Sequence, residues 1–318
     1  MRRFEVSVRT RWQLQAVEQC ADNIKRCYIH SELLQAEEAA PLVSTVLCEL
    51  QKQGVELYAA LPYMMREENG APDEQDLYDL CEKLIRKCNQ SGEIIGNPTN
   101  QSGKTNENVA GCPQLEGMLV RNLEQLAFLA DHDYWGNIVL DSQIYIWNAQ
   151  ALNELFSDEY LAGRIVGFTL PLEESMHQWK QTCSSLNGEI KPGMILYGRV
   201  PMMVSAGCVL RTTENCSKEK GRFHTECLEL QDRTNRKLPV ECSCRYCYNV
   251  IWNAYPLSLH NAYGKGLPVE NASYRLDFTT ETQTEMLQIV DFFVNGQGET
   301  LKPPYANYTT GRFQKGVD

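Results

Sequence analysis

The sequence predicts an α/β fold, a (β/α)8 barrel of the TIM type with a cysteine-rich insertion between its seventh and eighth strands. Three observations lead to this prediction. Eight short β-branched or aliphatic runs recur along the 318 residues, nearly every one is followed by an amphipathic helical stretch, and none is followed by a Gly-rich phosphate fingerprint. Strands separated by helices pair in parallel, and eight parallel strands close a barrel. A doubly wound open sheet is the alternative, which the missing glycine fingerprint disfavours.

The strand candidates are short runs of aliphatic, β-branched and aromatic residues. They are residues 4–8, 26–30, 55–61, 117–120, 137–141, 165–170, 194–198 and 274–278. The helices between them are predicted from apolar residues at helical spacing, such as Leu14, Val17 and Cys20 after the first strand. Gly54 is a natural end for the helix before the third strand, and a further helix is predicted over residues 74–88.

Two segments interrupt this alternation. Residues 89–114 are polar and rich in Asn, Gly and Ser, which predicts a surface loop before the fourth strand. Residues 201–272 form the cysteine-rich insertion. Because loops at the carboxyl ends of the strands build the active site of such a barrel, we expect the insertion to lie over the barrel mouth. The predicted organisation is one barrel of residues 1–296, which includes both segments, and a C-terminal extension of residues 297–318.

The insertion holds six of the 13 cysteines of the chain. Disulfides are disfavoured because such frameworks belong to short secreted chains, and no apolar signal stretch opens this sequence. Buried thiols without a ligand are less plausible here than elsewhere in the chain, since the flanking residues are charged or polar. Metal or iron–sulfur ligation is therefore favoured, and spacing alone does not separate a [4Fe–4S] cluster from structural zinc. The candidate ligands are Cys208, Cys216, Cys227, Cys242, Cys244 and Cys247.

Composition and charge restrict the class of protein. The formal net charge of -11 argues against nucleic-acid binding through the whole surface, although a local basic groove could still bind RNA. No apolar run is long enough to span a membrane. We expect a soluble protein of the reducing cytoplasm.

Polar side chains at the strand ends are candidate substrate ligands, because these ends meet at the mouth. Converging arginines would suit a dicarboxylate, since a guanidinium binds a carboxylate through two hydrogen bonds. The alternative is that these residues cap helices or form ion pairs along the rim. Arg275 and Asp277 could point into the barrel and pair there. The candidates are His30, Glu32, Arg66, Arg121, Asn148 and Arg199, with Asn122 and Asp141 beside them.

Three aromatic residues could stack a nucleotide base, although packing in a core uses aromatics more often. They are Trp147, Trp252 and Tyr255. His132 is expected to be a loop residue rather than a ligand, because its neighbours end a helix.

Three long runs resemble one known family. They are YGRVPMMVSAGC (197–208), LQDRTNRKLPVECSCRYCYNVIWNAYPLSL (230–259) and NYTTGRFQKGVD (307–318). They look like the peptidase U-thirty-two family, the collagenase-like proteases, and further matches at the first four strands extend the resemblance over essentially the whole chain. Many members carry an additional barrel, so the resemblance also implies another barrel domain or subunit as a partner.

The resemblance implies an iron–sulfur protein. Well-understood relatives hold a [4Fe–4S] cluster by four cysteines and hydroxylate RNA bases or ubiquinone precursors without molecular oxygen, with a small molecule as oxygen donor. Cys208 and Cys216 match the earlier cysteine pair of the family, and Cys244 and Cys247 form the Cys-x-x-Cys that precedes the YNVIWNA block. We therefore predict these four as ligands, with Cys227 and Cys242 in reserve.

The implied activity is oxygen-independent hydroxylation of RNA or of a small aromatic metabolite. The family name implies a peptidase instead, a hydrolase, but the sequence contains no Gly-x-Ser-x-Gly and no His-Glu-x-x-His motif. A third reading is a non-catalytic binding module that a cluster or structural zinc stabilises.

Overall fold

Eight parallel strands close a barrel in the computed structural model. The model describes residues 3–35, 40–65, 115–132, 134–186, 190–214, 216, 227–244, 246–265, 272–296 and 302–316. The barrel strands are β1 (Phe4–Val8), β2 (Ile24–His30), β3 (Glu56–Ala60), β4 (Gly117–Val120), β5 (Asn137–Leu140), β6 (Ile165–Thr169), β7 (Lys191–Gly198) and β13 (Ser273–Asp277). Each pairs in parallel with its neighbour, β13 lies between β7 and β1, and β6 pairs with β7 to close the barrel. The predicted (β/α)8 barrel and its eight strands are confirmed.

Helices follow most barrel strands and begin where the sequence offers capping side chains. They are α1 (Arg11–Gln19), α2 (Ser31–Gln35), α3 (Ala40–Lys52), α4 (Leu123–Asp131), α5 (Ala149–Phe156), α6 (Glu159–Ala162), α7 (Met176–Ser184), α8 (Val209–Glu214), α9 (His260–Gly264) and α10 (Gln283–Asn295). Thr10, Ser175 and Thr282 each form a capping box, which satisfies backbone N–H groups that would otherwise lack a partner. The helix predicted over 74–88 and the loop predicted over 89–114 lie outside the described residues.

A small antiparallel sheet organises the insertion. Its strands are β8 (Pro201–Ser205), β9 (Leu228–Gln231), β10 (Lys237–Ser243) and β11 (Tyr248–Trp252), in the order β8-β11-β10-β9. The chain then returns through β12 (Leu257–Ser258), which pairs antiparallel with the end of β7. The sequence analysis assigned no strands here, because the cysteines and charges of these short segments hide the alternation that marks a strand.

The C-terminal segment ties the insertion to the barrel wall. Thr309 forms a bridge with Leu257 of β12, and the backbone N–H of Met176 donates to the carbonyl of Phe313. The Phe313 ring packs edge-on against the buried Trp179 of α7. Residues 302–316 therefore fasten the end of the insertion to the start of α7.

The barrel interior alternates apolar and charged layers. Tyr28, Tyr58, Ala60, Leu119 and Val139 form an apolar cluster of strand residues. Toward the amino ends of the strands, Arg26 pairs with Glu5 and Glu56, and at the carboxyl ends Asp141 pairs with Arg121 and Arg275. Among the described helices, none is long and apolar enough to cross a membrane.

Candidate active site at the barrel mouth

A small pocket lies at the carboxyl ends of the barrel strands, with about 20 Å³ of space for the centres of water-sized molecules. Residues that follow β1, β3, β4, β5 and β7 line it together with side chains of β13 and of the insertion. The charged and aromatic lining residues are Arg9, Tyr63, Arg121, Asp141, Arg199, Trp252, Arg275 and Asp277.

A buried ion-pair network forms the floor of the pocket. Asp141 accepts a hydrogen bond from Arg121 Nε at 3.1 Å on one carboxylate oxygen and from Arg275 Nη2 at 2.6 Å on the other. Arg275 also donates to Asp277 at 2.7 and 3.0 Å. Burial would raise the pKa of Asp141, but Arg275 and Arg121 outweigh it and hold the pKa at about 2. The expected pairing of Arg275 with Asp277 is confirmed, and Arg121 is neutralised by an ion pair.

Gly198 allows this network to sit against the end of β7. Its φ is +150°, and a Cβ at this position would lie 2.7 Å from the Cβ of Asp277. A side chain here would displace Asp277 from Arg275, so we infer that glycine is required by the close approach.

Arg9 connects the barrel to the insertion. Its guanidinium donates to both carboxylate oxygens of Glu241 at 2.9 and 2.8 Å and lies 4.5 Å from the centre of the Trp252 ring. Trp252 Nε1 in turn donates to Glu241 at 3.2 Å. Arg9 Nε is buried and has no hydrogen-bond partner among the described residues.

His30 lies between two arginines. Arg9 Nη1 is 3.0 Å from its Nδ1, and Arg121 Nη2 is 3.1 Å from its Nε2. Burial first, and then Arg9, Arg121 and Arg275, lower the pKa of His30 well below its ordinary value. The imidazole is therefore neutral at physiological pH, and only one of its nitrogens can accept a hydrogen bond from an arginine.

Arg199 differs from the other arginines of the pocket. It donates to Thr280 Oγ1 at 3.2 Å and to the carbonyl oxygens of Asn253 and Ala254. Within the described part of the chain, no carboxylate lies at ion-pair distance from it, whereas Arg9, Arg121 and Arg275 each have one. Arg199 is thus the pocket cation whose charge is left uncompensated by the described residues.

Two further contacts hold the insertion against the barrel. Ser243 donates a short hydrogen bond to Glu32, which follows β2. The backbone N–H of Tyr63 donates to Tyr248 Oη at 3.0 Å, and the Tyr63 ring packs edge-on against Trp252. The insertion therefore contacts the mouth after β1, β2 and β3, in addition to its contacts with Arg199 after β7.

Four of the six insertion cysteines belong to one small cluster. Cys208, Cys216 and Cys244 pack against Leu210, Val240 and Cys242. Burial first, and then the thiols of Cys244, Cys208 and Cys227, raise the pKa of Cys242 to about 12.

Cys227 responds to the charges of the pocket. Burial first, and then Glu241, raise its pKa to about 12, and Arg9 and Arg199 oppose this rise. Arg9 and Arg199 line the pocket, so the thiol of Cys227 lies within range of the charges at the mouth.

Cys247 occupies the turn between β10 and β11. It has a positive φ of 51°, and its thiol is 3.9 Å from the carbonyl oxygen of Cys244. No three His, Cys, Asp or Glu side chains of the described residues converge closely enough to hold a metal ion. Thiolates are the ligands of iron–sulfur clusters and of many zinc sites, and several cysteines of the insertion are neighbours. To bind such a group, their side chains would have to turn toward a common point.

The remaining predicted residues have varied positions. Asn148 is exposed and caps α5, Trp252 is buried against Arg9, and Trp147 and Tyr255 are exposed. His132 stacks on Phe128 at the end of α4, as expected of a residue outside the site. Arg66 lies outside the described residues. Arg9 and Glu241 were not among the predicted site residues, although Arg9 directly follows a predicted strand and its position there is a usable signal.

The Glu174 carboxyl group is expected to make the stability of the fold depend on pH. This carboxyl group, in the loop after β6, is buried and its Oε2 has no partner among the described residues. Burial first, and then Glu173, raise its pKa from 4.5 to about 7. Between about pH 4.5 and about pH 7, the Glu174 carboxyl is protonated in the folded chain and ionised in the unfolded chain. The free energy of unfolding therefore falls as the pH rises through this range.

We predict that the free energy of unfolding falls by up to about 3 kcal/mol across this window. Urea unfolding at several pH values measures the fall, and Glu174→Gln should remove it because the amide does not ionise. An equal fall in the variant would show that another group causes it.

No family model and no curated protein matches this chain. Solved structures match it at low similarity. A Bacillus anthracis protein described as a probable 3-DHS dehydratase gives a TM-score of 0.44 at 9% identity over 93% of this chain and 99% of that chain. The spore cortex-lytic enzyme SleL of Bacillus megaterium gives 0.39 at 11% identity over 91% of this chain and 73% of that one.

A Coccidioides immitis structure, assigned provisionally as a fructose-1,6-biphosphate aldolase, gives a TM-score of 0.37 at 9% identity over 61% of this chain. This chain spans 64% of the length of that structure. At such similarity the matches carry no argument about activity, and the barrel rests on its own strand pairing.

Proposed function

We propose that this chain is an enzyme related to the peptidase U-thirty-two family, in which thiolates of the insertion hold a [4Fe–4S] cluster at the barrel mouth. Its activity would be oxygen-independent hydroxylation, or a related modification, of RNA or of a small aromatic metabolite. Such a cluster would supply electron exchange for activation of the oxygen donor. The pocket residues would bind and orient the reactants.

The observation that carries this proposal is the position of β10 at the barrel mouth. Its Glu241 and Ser243 contact Arg9 and Glu32, while Cys242 lies between these two residues and Cys244 directly follows the strand. A cluster held by these cysteines would therefore be carried by a strand that contacts the mouth, rather than by a remote part of the insertion. Structural zinc remains the alternative metal, and metal analysis separates the two.

The arrangement of thiols also favours a particular ligand set. Cys208 and Cys244 pack against the cluster that contains Cys242, and Cys227 contributes to the raised pKa of Cys242, so we propose these four as the first set to test. Cys216 packs against the same cluster, and Cys247 sits at the adjacent turn. These two become the reserves, which reverses part of the choice made from spacing and resemblance.

Arg199 is proposed as the anchor for a carboxylate of the oxygen donor or substrate. Arg121 and Arg275 are compensated by Asp141, so they attract an added anion less than the sequence suggested. Arg199 has no such partner among the described residues, and the buried Nε of Arg9 lacks an acceptor. Together they could receive one anionic group in the pocket.

We predict that Arg199→Gln weakens binding of a simple dicarboxylate probe, malonate, by about tenfold or more, because charged hydrogen bonds contribute about 1.5–3 kcal/mol. Calorimetric titration measures the affinity. Arg233→Gln, an exposed arginine of the hairpin between β9 and β10, is the matched control and should bind as the parent does. Equal affinity in the Arg199 variant would refute its role.

The peptidase alternative finds less support in the pocket. His30 faces two guanidinium groups, and no serine or cysteine of the described lining hydrogen-bonds a histidine. Ser258 does contact His260 Nδ1 at 2.8 Å, but both residues are buried beside Tyr305, and neither lines the pocket. That contact fits a packing role.

Comparison of cells with and without the gene tests the activity. We expect a modified nucleoside or a hydroxylated aromatic metabolite to disappear on deletion and to return with the parent gene. It should not return with Cys242→Ser, and it should return with Cys183→Ser, a cysteine of α7 that serves as control. Unchanged nucleosides and aromatic metabolites would contradict the proposal.

A further inference from the structure

Two exposed aromatic residues form a stacked pair beside the pocket. Tyr145 and Trp147 follow β5, with ring centres 5.8 Å apart and planes within 6° of parallel. Their exposed fractions are 44% and 41%. Large exposed aromatic surface is costly, and a contiguous patch of it commonly marks a binding site.

The backbone holds the pair in place. Ile146, between the two rings, is buried, and the carbonyl oxygen of Trp147 accepts a hydrogen bond from Thr182 of α7 at 3.1 Å. Tyr145 adopts a left-handed conformation, with φ 57° and ψ 54°, that a bulky residue rarely takes. Such strain persists where the surroundings enforce it and is frequent at functional sites. The loop that holds the two exposed rings is therefore fixed to the barrel.

The other exposed tryptophans of the described chain each have an arginine over the ring. Arg11 lies 4.3 Å from the ring centre of Trp12, and Arg164 lies 4.5 Å from that of Trp135. The buried Trp252 is covered by Arg9. Trp147 has no such cation among the described residues, so its exposed face is open to a cation from another molecule.

A carboxylate adds the matching charge. Tyr145 Oη donates to Glu173 at 3.4 Å, and Glu173 directly follows Leu172, which lines the pocket. Gln143, two residues before Tyr145, also lines the pocket. The aromatic pair follows β5, which is opposite β1 in the closed order of the strands, whereas the insertion contacts residues after β1, β2, β3 and β7.

We propose that Tyr145, Trp147 and Glu173 form a binding site for a positively charged group of a ligand, an ammonium or guanidinium, at the rim of the pocket. The electron-rich ring faces and the carboxylate attract a cation, as the chain's own arginines illustrate on its other tryptophans. This site does not depend on the cysteines or on the proposed activity.

The test uses choline and its uncharged isostere 3,3-dimethylbutanol as probes. Titration of the purified full chain is followed by the NMR signals of the tryptophan indole N–H groups, with the Trp147 signal assigned from Trp147→Phe. We expect choline to shift the Trp147 signal saturably and to bind at least about threefold more tightly than the isostere. The signal of Trp135, already covered by Arg164, is the internal control and should not shift.

Glu173→Gln should weaken choline binding by about threefold or more while the fold is retained, because it removes the charge and keeps an acceptor for Tyr145. Equal binding of choline and the isostere, absence of any shift at Trp147, or an undiminished affinity in Glu173→Gln would each overturn the proposal. A shift caused by adenosine monophosphate but not by choline would overturn it in favour of base stacking.

Discussion

Replacing Asp141 by alanine is expected to lower the free energy of unfolding by about 3–5 kcal/mol, because it leaves two buried arginines without their shared carboxylate. Arg121 and Arg275 are each about 3% exposed at the side chain, and Asp141 is 4% exposed. Neither guanidinium can lose its proton to avoid the cost. Urea unfolding of the variant and the parent measures the difference.

The pH dependence gives a second measure of the same network. The folded pKa of Asp141, about 2, lies below its ordinary 3.8. The stability it contributes is therefore present above about pH 4 and is lost as the pH falls toward 2. Asp141→Asn should lack this acid-dependent loss while it keeps the shape of the side chain.

An exposed ion pair provides the matched control. Lys237 and Glu229 lie 2.8 Å apart, with side chains 69% and 57% exposed. Glu229→Ala should change stability by less than about 1 kcal/mol, as is usual for surface pairs. If Asp141→Ala cost no more than this control, the buried network would not stabilise the mouth as argued.

Replacing Cys242 by serine is expected to abolish metal binding. Cys242 belongs to the cluster against which Cys208 and Cys244 pack, and a four-thiolate site that loses one of its ligands is generally lost or severely weakened. Iron content and visible absorption of the anaerobically purified variant measure the loss. The far-ultraviolet spectrum should still show the barrel.

Cys247→Ser distinguishes the two ligand sets. It should retain the metal if the thiols around Cys242 are the ligands, and it should lose the metal if the Cys-x-x-Cys supplies two of them. Cys183→Ser, outside the insertion, should behave as the parent. Retention of a full complement of metal by Cys242→Ser would eliminate the set proposed from the structure.

The barrel could be predicted from the sequence because its signals are local. Runs such as 4–8 and 117–120 are recognisable as strands by their own apolar residues. The helix after each run has a capping residue and an apolar face within its own sequence. Strands that are connected by helices pair in parallel, and eight such strands close a barrel. The closed sheet could therefore be predicted from the number and order of these local segments.

The site could be predicted only in part, because its ion pairs join residues that are far apart in the sequence. Arg9 and Glu241 form a close ion pair although they are 232 residues apart, and no spacing rule connects them. The same holds for Asp141 and Arg275, which are 134 residues apart, and Asp141 also pairs with Arg121. The insertion strands were missed because their cysteines and charges obscure the alternation of a sheet.

Metal analysis of the chain purified without oxygen tests the central claim most directly. Iron, acid-labile sulfide and zinc are measured per chain, together with the visible absorption spectrum. The account predicts about four irons with matching sulfide and a broad absorption typical of a [4Fe–4S] cluster. One zinc per chain without iron, or no bound metal at all, would contradict it.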